Sequence, residues 1–510
     1  MTRQQKRDSK NMEERLRRAG HRRPVTRREF LGRGLIAGSG MMMLPGLLGI
    51  LGREAYAQLN CGLDDTPQLG AGKIPFLCID LIGGSNIAGS NIMVGGQGGQ
   101  LDFLTAEGYA KLGLPADQLP GVTGVNTDLG IAFHPASALL RGILSKTNLA
   151  TRNATNGCII PARSENDTDN NPHNPMYGVA KAGAAGELVA LIGSDNTNSG
   201  GNSDVPVSMF DPTIRPTKVN SRLDSVGLVD TGRLLSVLNN NQADAVRTHE
   251  AIEAISRLKA VQLNEQQAVQ ELVTCGYIRA ADTVARFGDV TQLDPNADPL
   301  LNPNAPNADP MPIFTAAELT NPEFAKTAAV MKTVINGWAG AGTIEFGGYD
   351  YHGSTRAETD GLDFTAGQYI GAALEYAARL GKPLMIYVLS DGSVAPDVNV
   401  VEDDGNGVGK FPWIADNAQT SATFFLVYNP NGRPVPRRPT AQQIGYFRPT
   451  GNIETTSSPF ANNVTQLAEM VVLNYMALHG EEGLFANVLP NAGLVAGNQF
   501  DPYIAFNQIV

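Results

Sequence analysis

Three short stretches of this 510-residue chain join glycines to side chains that bind cations. The first runs from Asp80 through Gly83-Gly84-Ser85-Asn86. The second is Gly347-Gly348-Tyr349-Asp350-Tyr351-His352, and the third is Ser390-Asp391-Gly392. Carboxylates alone suit hard ions such as Mg²⁺, Ca²⁺ or Mn²⁺, and carboxylates with a neutral imidazole form the mixed oxygen and nitrogen set that Zn²⁺ also accepts. A divalent ion held there polarises a phosphoryl or sulfuryl oxygen and generates a nucleophile. His173, in the turn Pro172-His173-Asn174, adds an imidazole that fits a ligand or an anion contact, and His134 precedes Pro135. Taken singly, each residue also fits a structural role, because Asp after a strand is a common turn or cap residue. Asp80 lies inside an apolar run, where it fits a hydrogen bond to a neighbouring loop.

These residues need elements that bring them to one place. Ile74–Ile82 is apolar on both faces and ends at a glycine pair, the pattern of a buried strand in a parallel sheet. Further strands are expected near Asn148–Ala154 and over Leu188–Ile192, Thr343–Phe346, Pro383–Leu389 and Ala422–Tyr428. Helices are expected over Ser137–Ser145, Met176–Ala185, Ala325–Trp338, Ala366–Leu380 and Val464–Leu478. Alternating helices and apolar strands predict a predominantly parallel α/β sheet sandwiched by helices. In such sheets, sites form at the carboxyl ends of the strands, where Asp350, His352 and Asp391 follow their strands. Three- and four-residue apolar spacing over Thr231–Phe287, closed by six prolines in Asp294–Pro312, predicts a helical insertion at about 231–312 in a single domain spanning 58–510.

The remaining motifs narrow the chemistry. Asp403-Asp404-Gly405-Asn406-Gly407 has the look of a calcium loop without the spaced acids and terminal Glu of an EF-hand, so it reads as a turn. The chain contains no G-x-S-x-G, P-loop or H-E-x-x-H motif. Its four cysteines form no C-x-x-C pair, and Cys78 sits in an apolar strand, as a buried free thiol does.

The first 57 residues have a different character. They hold 13 Lys/Arg against 5 Asp/Glu and include Thr26-Arg27-Arg28-Glu29-Phe30-Leu31, a close match to the twin-arginine consensus. A glycine-broken apolar run, Gly34–Leu51, precedes Ala55-Tyr56-Ala57, a small-x-small cleavage site. Basic region, apolar region and cleavage site in that order predict a removable export signal, read by the twin-arginine machinery and a signal peptidase. The expected destination is the periplasm or the exterior. Cleavage would leave 26 basic against 45 acidic side chains. That balance disfavours nucleic acid and anionic lipid as partners.

The twin-arginine signal, Gly83-Gly84-Ser85-Asn86, Phe133-His134-Pro135, Pro172-His173-Asn174, the Gly-Gly-aromatic-Asp-x-His element and Leu389-Ser390-Asp391-Gly392 appear here in one order. In that order the chain resembles the exported family known as domain of unknown function 1501, similar to the alkaline phosphatase and sulfatase superfamily. The resemblance implies an alkaline phosphatase-like fold, a divalent metal, and hydrolysis of phosphate or sulfate esters. It places Asp350, His352 and Asp391 as metal ligands, Asp80 and Asn86 beside them, and Ser85 where a nucleophile would stand. The chain departs from the pattern where Asn86 replaces an expected carboxylate and where Ser390-Asp391-Gly392-Ser393 keeps the acid of a Ser-Glu-Phe-Gly-Arg element but loses its arginine. The family's later Thr-Asp-His-Gly element has no full match; Asp416-Asn417 lies near its place, and no histidine falls between His352 and His479. These losses favour an alternative expectation, a non-catalytic binding or cell-envelope protein that keeps the fold.

Overall fold

The computed structural model describes residues 72–164, 171–229, 290–495 and 500–510. The expected export signal and most of the expected helical insertion lie outside the described residues. Within the described part, residues 290–312 form two short 3₁₀ turns and irregular chain, in keeping with their prolines.

The central element is β1 (Phe76–Leu81), buried along its whole length. It pairs in parallel with β5 (Ala339–Phe346) on one side and β6 (Leu384–Ser390) on the other. Outside β5 lie β3 (Val189–Gly193) and the two-residue β4 (Thr217–Lys218), both parallel. Outside β6 lie β11 (Ala422–Tyr428) and then β2 (Thr155–Pro161). Strand β11 runs against both neighbours. The seven-stranded sheet is therefore mixed but mostly parallel, with order β2-β11-β6-β1-β5-β3-β4.

Alternate residues of the strands feed two apolar layers. Leu77, Ile79, Ile344, Val388 and Leu426 face a core shared with α1 (Ala138–Lys146), α3 (Pro322–Ile335) and α4 (Arg356–Arg379). Phe76, Cys78, Tyr387, Leu389 and Phe425 face the other, with α2 (Met176–Lys181) and α5 (Val464–Ala477). This is the helix–sheet–helix layering that two-sided apolar strands require. Helices α1 and α4 cross at glycines: a Cβ on Gly142 would meet the Phe364 carbonyl at 2.0 Å, and one on Gly367 the Leu139 carbonyl at 2.1 Å. Cys78 and Cys158 are free, buried thiols on separate strands.

One expected strand is displaced. Residues Leu149–Asn153 form a short helix capped by Asn148, whose side chain accepts from the Thr151 N–H, and the strand begins only at Thr155. The capping side chain outcompetes extended pairing there. A two-stranded ribbon of β7 (Val394–Pro396) and β10 (Trp413–Asp416) rises beside the sheet, and β8 (Glu402–Asp403) pairs with β9 (Gly409–Lys410) between them. No helix among the described residues is long and apolar enough to cross a membrane.

Candidate functional site

The registers Leu81↔Phe346 and Leu81↔Ser390 align the carboxyl ends of β1, β5 and β6. The segments after those three strands therefore meet at one rim. Asp350 and His352 lie on the turn between β5 and α4, and Asp416 ends β10. One ligand atom from each of Asp350, His352 and Asp416 falls within 4.8 Å of the other two. Among the described residues this is the one group of three or more His, Cys, Asp or Glu side chains so placed. His352 Nδ1 contacts the Asp350 carboxylate and lies 3.3 Å from Asp416 Oδ1. All three side chains are about half exposed, so the group is open to solvent. Two carboxylates and an imidazole supply a mixed donor set with room for water or substrate, the composition of an open rather than a closed metal site.

The turn carrying Asp350 and His352 is held from below. Tyr351 points inward between them; its N–H donates to the Gly84 carbonyl at 3.2 Å and its hydroxyl to Asp363 Oδ1 at 2.6 Å. The Tyr349 N–H donates to the Ile82 carbonyl at 3.0 Å. Gly83 sits at φ 111°, and a Cβ there would come within 2.6 Å of the Asp350 backbone, so the glycine is needed for this close approach. The second arm is tied to the first, since the Gly353 N–H donates to the Trp413 carbonyl at 3.0 Å. Trp413 is buried with the Arg356 guanidinium 4.7 Å from its ring centre. Arg356 pairs with Asp360 at 2.7 Å, and Lys410 reaches the other Asp360 oxygen at 2.5 Å. Burial, with Asp360 alongside, pushes the Asp363 carboxyl up to about 7.

The other expected ligands are turned to structural work. Asp391 is buried; its carboxylate accepts from the Gly83 N–H at 2.7 Å and from Asn202 Nδ2 at 3.3 Å, and its carbonyl accepts from Asn171 and Ser164. Asp80 accepts from the N–H groups of Asn202 and Ser203 at 3.0 and 2.8 Å and from the Ser203 hydroxyl at 3.1 Å. These two carboxylates clamp the loop after β3 onto the sheet, and neither joins the exposed group.

Asn86 accepts from the Ser90 hydroxyl at 2.6 Å, and that hydroxyl in turn accepts from Arg356 at 2.9 Å. Asn86 thus belongs to the supporting network. Ser85 is only 2 % exposed; its N–H donates to Ser390 Oγ, and its own hydroxyl has no hydrogen-bond partner among the described residues. Gly84 before it packs on Ser393, whose carbonyl accepts from the Asn417 N–H at 2.7 Å. Ser85 therefore follows two glycines, one packed on Asp350 and the other on Ser393.

The two upstream histidines lie inside the protein. His173 is buried, with neither ring nitrogen hydrogen-bonded among the described residues, and burial lowers it to about 3. His134 bridges the Gln118 carbonyl at 2.8 Å and the Ala136 N–H at 3.1 Å, and burial lowers it to about 4. Asp403 and Asp404 fold their own turn by accepting from Gly405 and Asn406, and Asp404 also pairs with Lys410 at 3.3 Å.

Asp416 is the member of the exposed group that residue spacing alone does not reveal, because it lies 64 residues beyond His352 on a short ribbon. Its nearest signal in the sequence is the Asp416-Asn417 pair noted above. Comparison with known proteins finds no relative: no family model matches the chain, and neither a curated protein nor a solved structure is similar to it.

Proposed function

We propose that Asp350, His352 and Asp416 bind one divalent cation, with Zn²⁺ and Mn²⁺ the ions best matched to one imidazole and two carboxylates. On this reading the protein is an exported, alkaline phosphatase- or sulfatase-like hydrolase of phosphate or sulfate esters. The observation that carries it is the convergence of three ligand atoms within 4.8 Å at an exposed strand-end rim. A bound ion supplies charge stabilisation to an ester oxygen. The chain's own residues supply the rest: Ser85, beside the Asp350 turn, is the candidate nucleophile, and the amide of Asn86 adds a buried donor with no partner among the described residues. The family resemblance in the order of the motifs supports the same class. Export folded, through the twin-arginine machinery with signal peptidase cleavage after Ala57, belongs to this reading.

The test is hydrolysis of p-nitrophenyl phosphate and p-nitrophenyl sulfate with Mn²⁺ or Zn²⁺ added. Metal-dependent turnover lost in Ser85→Ala and His352→Ala supports the hydrolase. Absence of turnover with both ions and both esters overturns it.

A second reading, a non-catalytic binding or cell-envelope protein, has two specific observations in its favour. The Ser85 side chain is almost inaccessible, and Asp391 is committed to Gly83 and Asn202 rather than to the exposed group. Cation binding without turnover is the result this reading expects.

A further inference from the structure

We infer that Tyr351 is the positioning residue of the cation site, acting through its hydrogen bond to Asp363; the inference rests on the cation reading above. Asp350 and His352 are half exposed, whereas Tyr351 between them is fully buried. Its ring direction therefore fixes which way its two neighbours face. The ring is fixed in turn by one polar contact, the hydroxyl on Asp363 Oδ1 at 2.6 Å. Asp363 is itself anchored, since its other oxygen accepts from Asn91 Nδ2 at 2.7 Å, and Asn91 Oδ1 accepts from the Ser137 hydroxyl at 2.9 Å. The chain Ser137–Asn91–Asp363–Tyr351 joins the start of α1 to the base of the turn through buried side chains. The Asp416 arm meets the same turn at the Gly353–Trp413 hydrogen bond. Tyr351 reaches the two ligands through the backbone it shares with them, and residues that orient ligands set their affinity for metal.

Tyr376 provides the control. It is a second buried tyrosine, this one on α4, donating to Asp298 at 2.8 Å, thirteen residues and about 20 Å further along the helix than Asp363. The experiment is Mn²⁺ titration of the purified protein, read by the electron paramagnetic resonance of free Mn²⁺, for wild type, Tyr351→Phe and Tyr376→Phe. Wild type and Tyr376→Phe are expected to bind with equal affinity, and Tyr351→Phe about tenfold or more weakly. Equal affinity in all three overturns the positioning role and leaves the cation site standing. Equal weakening in both variants also overturns it, because loosening of the fold then accounts for the loss. A wild type that binds no Mn²⁺ removes the cation reading and this inference with it.

Asp363→Asn and Asp363→Leu repeat the test from the acceptor side, which serves if Tyr351→Phe does not fold. The amide keeps an acceptor for Tyr351 but sets its NH2 against Asn91 Nδ2 in place of an acceptor, so it should retain more binding than the leucine, which keeps neither contact. Equal binding in that pair overturns the proposal.

Discussion

His352 Nδ1 lies 3.3 Å from Asp416 Oδ1, although the two residues belong to different elements and are 64 positions apart. The turn after β5 brings one and the end of the β7–β10 ribbon brings the other. The Gly353 N–H on the Trp413 carbonyl holds the two arms together. A local motif is thereby completed by a distant carboxylate.

Asp80 and Asp391 are expected to matter for stability and not for cation affinity. Asp80→Ala leaves the buried N–H of Ser203 and the half-buried N–H of Asn202 without their acceptor. Each lost partner costs about 1–3 kcal/mol, so a loss of about 3 kcal/mol or more is expected in denaturant unfolding. Asp391→Ala should behave alike through Gly83 and Asn202. Cation affinity equal to wild type in whatever fraction folds is the second readout; loss of the ion at full stability would make these residues ligands after all.

Gly83→Ala should disturb the site through the backbone. The added methyl meets Asp350 at 2.6 Å, and a φ of 111° is strained for any residue with a Cβ. A cost of about 2–4 kcal/mol is expected, together with weakened cation binding, because the displaced group is the Asp350 backbone. Thermal unfolding and cation titration on the same samples check both; a variant with unchanged cation affinity contradicts the proposed contact between the two turns.

His173 should shape the acid limb of stability. Burial holds its folded value near 3, so the folded imidazole stays neutral while the unfolded one takes up a proton below about 6.5. Its contribution is therefore complete above that pH and is lost as pH falls towards the folded value. His173→Phe should gain on wild type by up to about 1.4 kcal/mol per pH unit between about pH 6 and pH 3.5. Any packing offset is independent of pH and drops out of the slope. A flat difference across that range contradicts the neutral buried state.

Asp363 should act in the opposite sense. Its folded value of about 7 lies above the ordinary carboxyl value, so the folded state keeps a proton that the unfolded state releases. The resulting stability is complete below about pH 4 and is lost as pH rises towards 7. Asp363→Asn removes the titration, and its stability difference from wild type should change by up to about 1.4 kcal/mol per pH unit within that window. Denaturant midpoints at several pH values measure it, and parallel profiles for the two proteins would contradict the raised value.

Much of the sheet is legible in the residues themselves. Strands β1, β6 and β11 are apolar runs whose burial on both faces leaves little choice of structure, whereas β5 begins four residues before the Thr343–Phe346 stretch that reads as strand. The reversed direction of β11 is not legible, because an apolar run carries no sign of its orientation. Helix α4 begins ten residues earlier than apolar periodicity indicates. Its first turns bury Arg356, Thr359, Asp360 and Asp363, which read as polar surface until Lys410, Trp413 and Tyr351 pair with them from distant positions.

The candidate site divides in the same way. Asp350 and His352 lie two residues apart on one turn, so their proximity is local. Asp391 looks equivalent in sequence, yet the N–H of Gly83 claims it, and Asp416 takes the place beside His352 from a strand too short to announce itself.

Isothermal titration of the purified protein with Mn²⁺ and Zn²⁺, compared across wild type, Asp350→Ala, His352→Ala, Asp416→Ala and Asp391→Asn, tests the cation site most directly. One ion per chain is expected in wild type and Asp391→Asn, with binding lost in the three alanine variants. No binding in wild type, or binding that survives in Asp416→Ala, would contradict the site built on Asp350, His352 and Asp416.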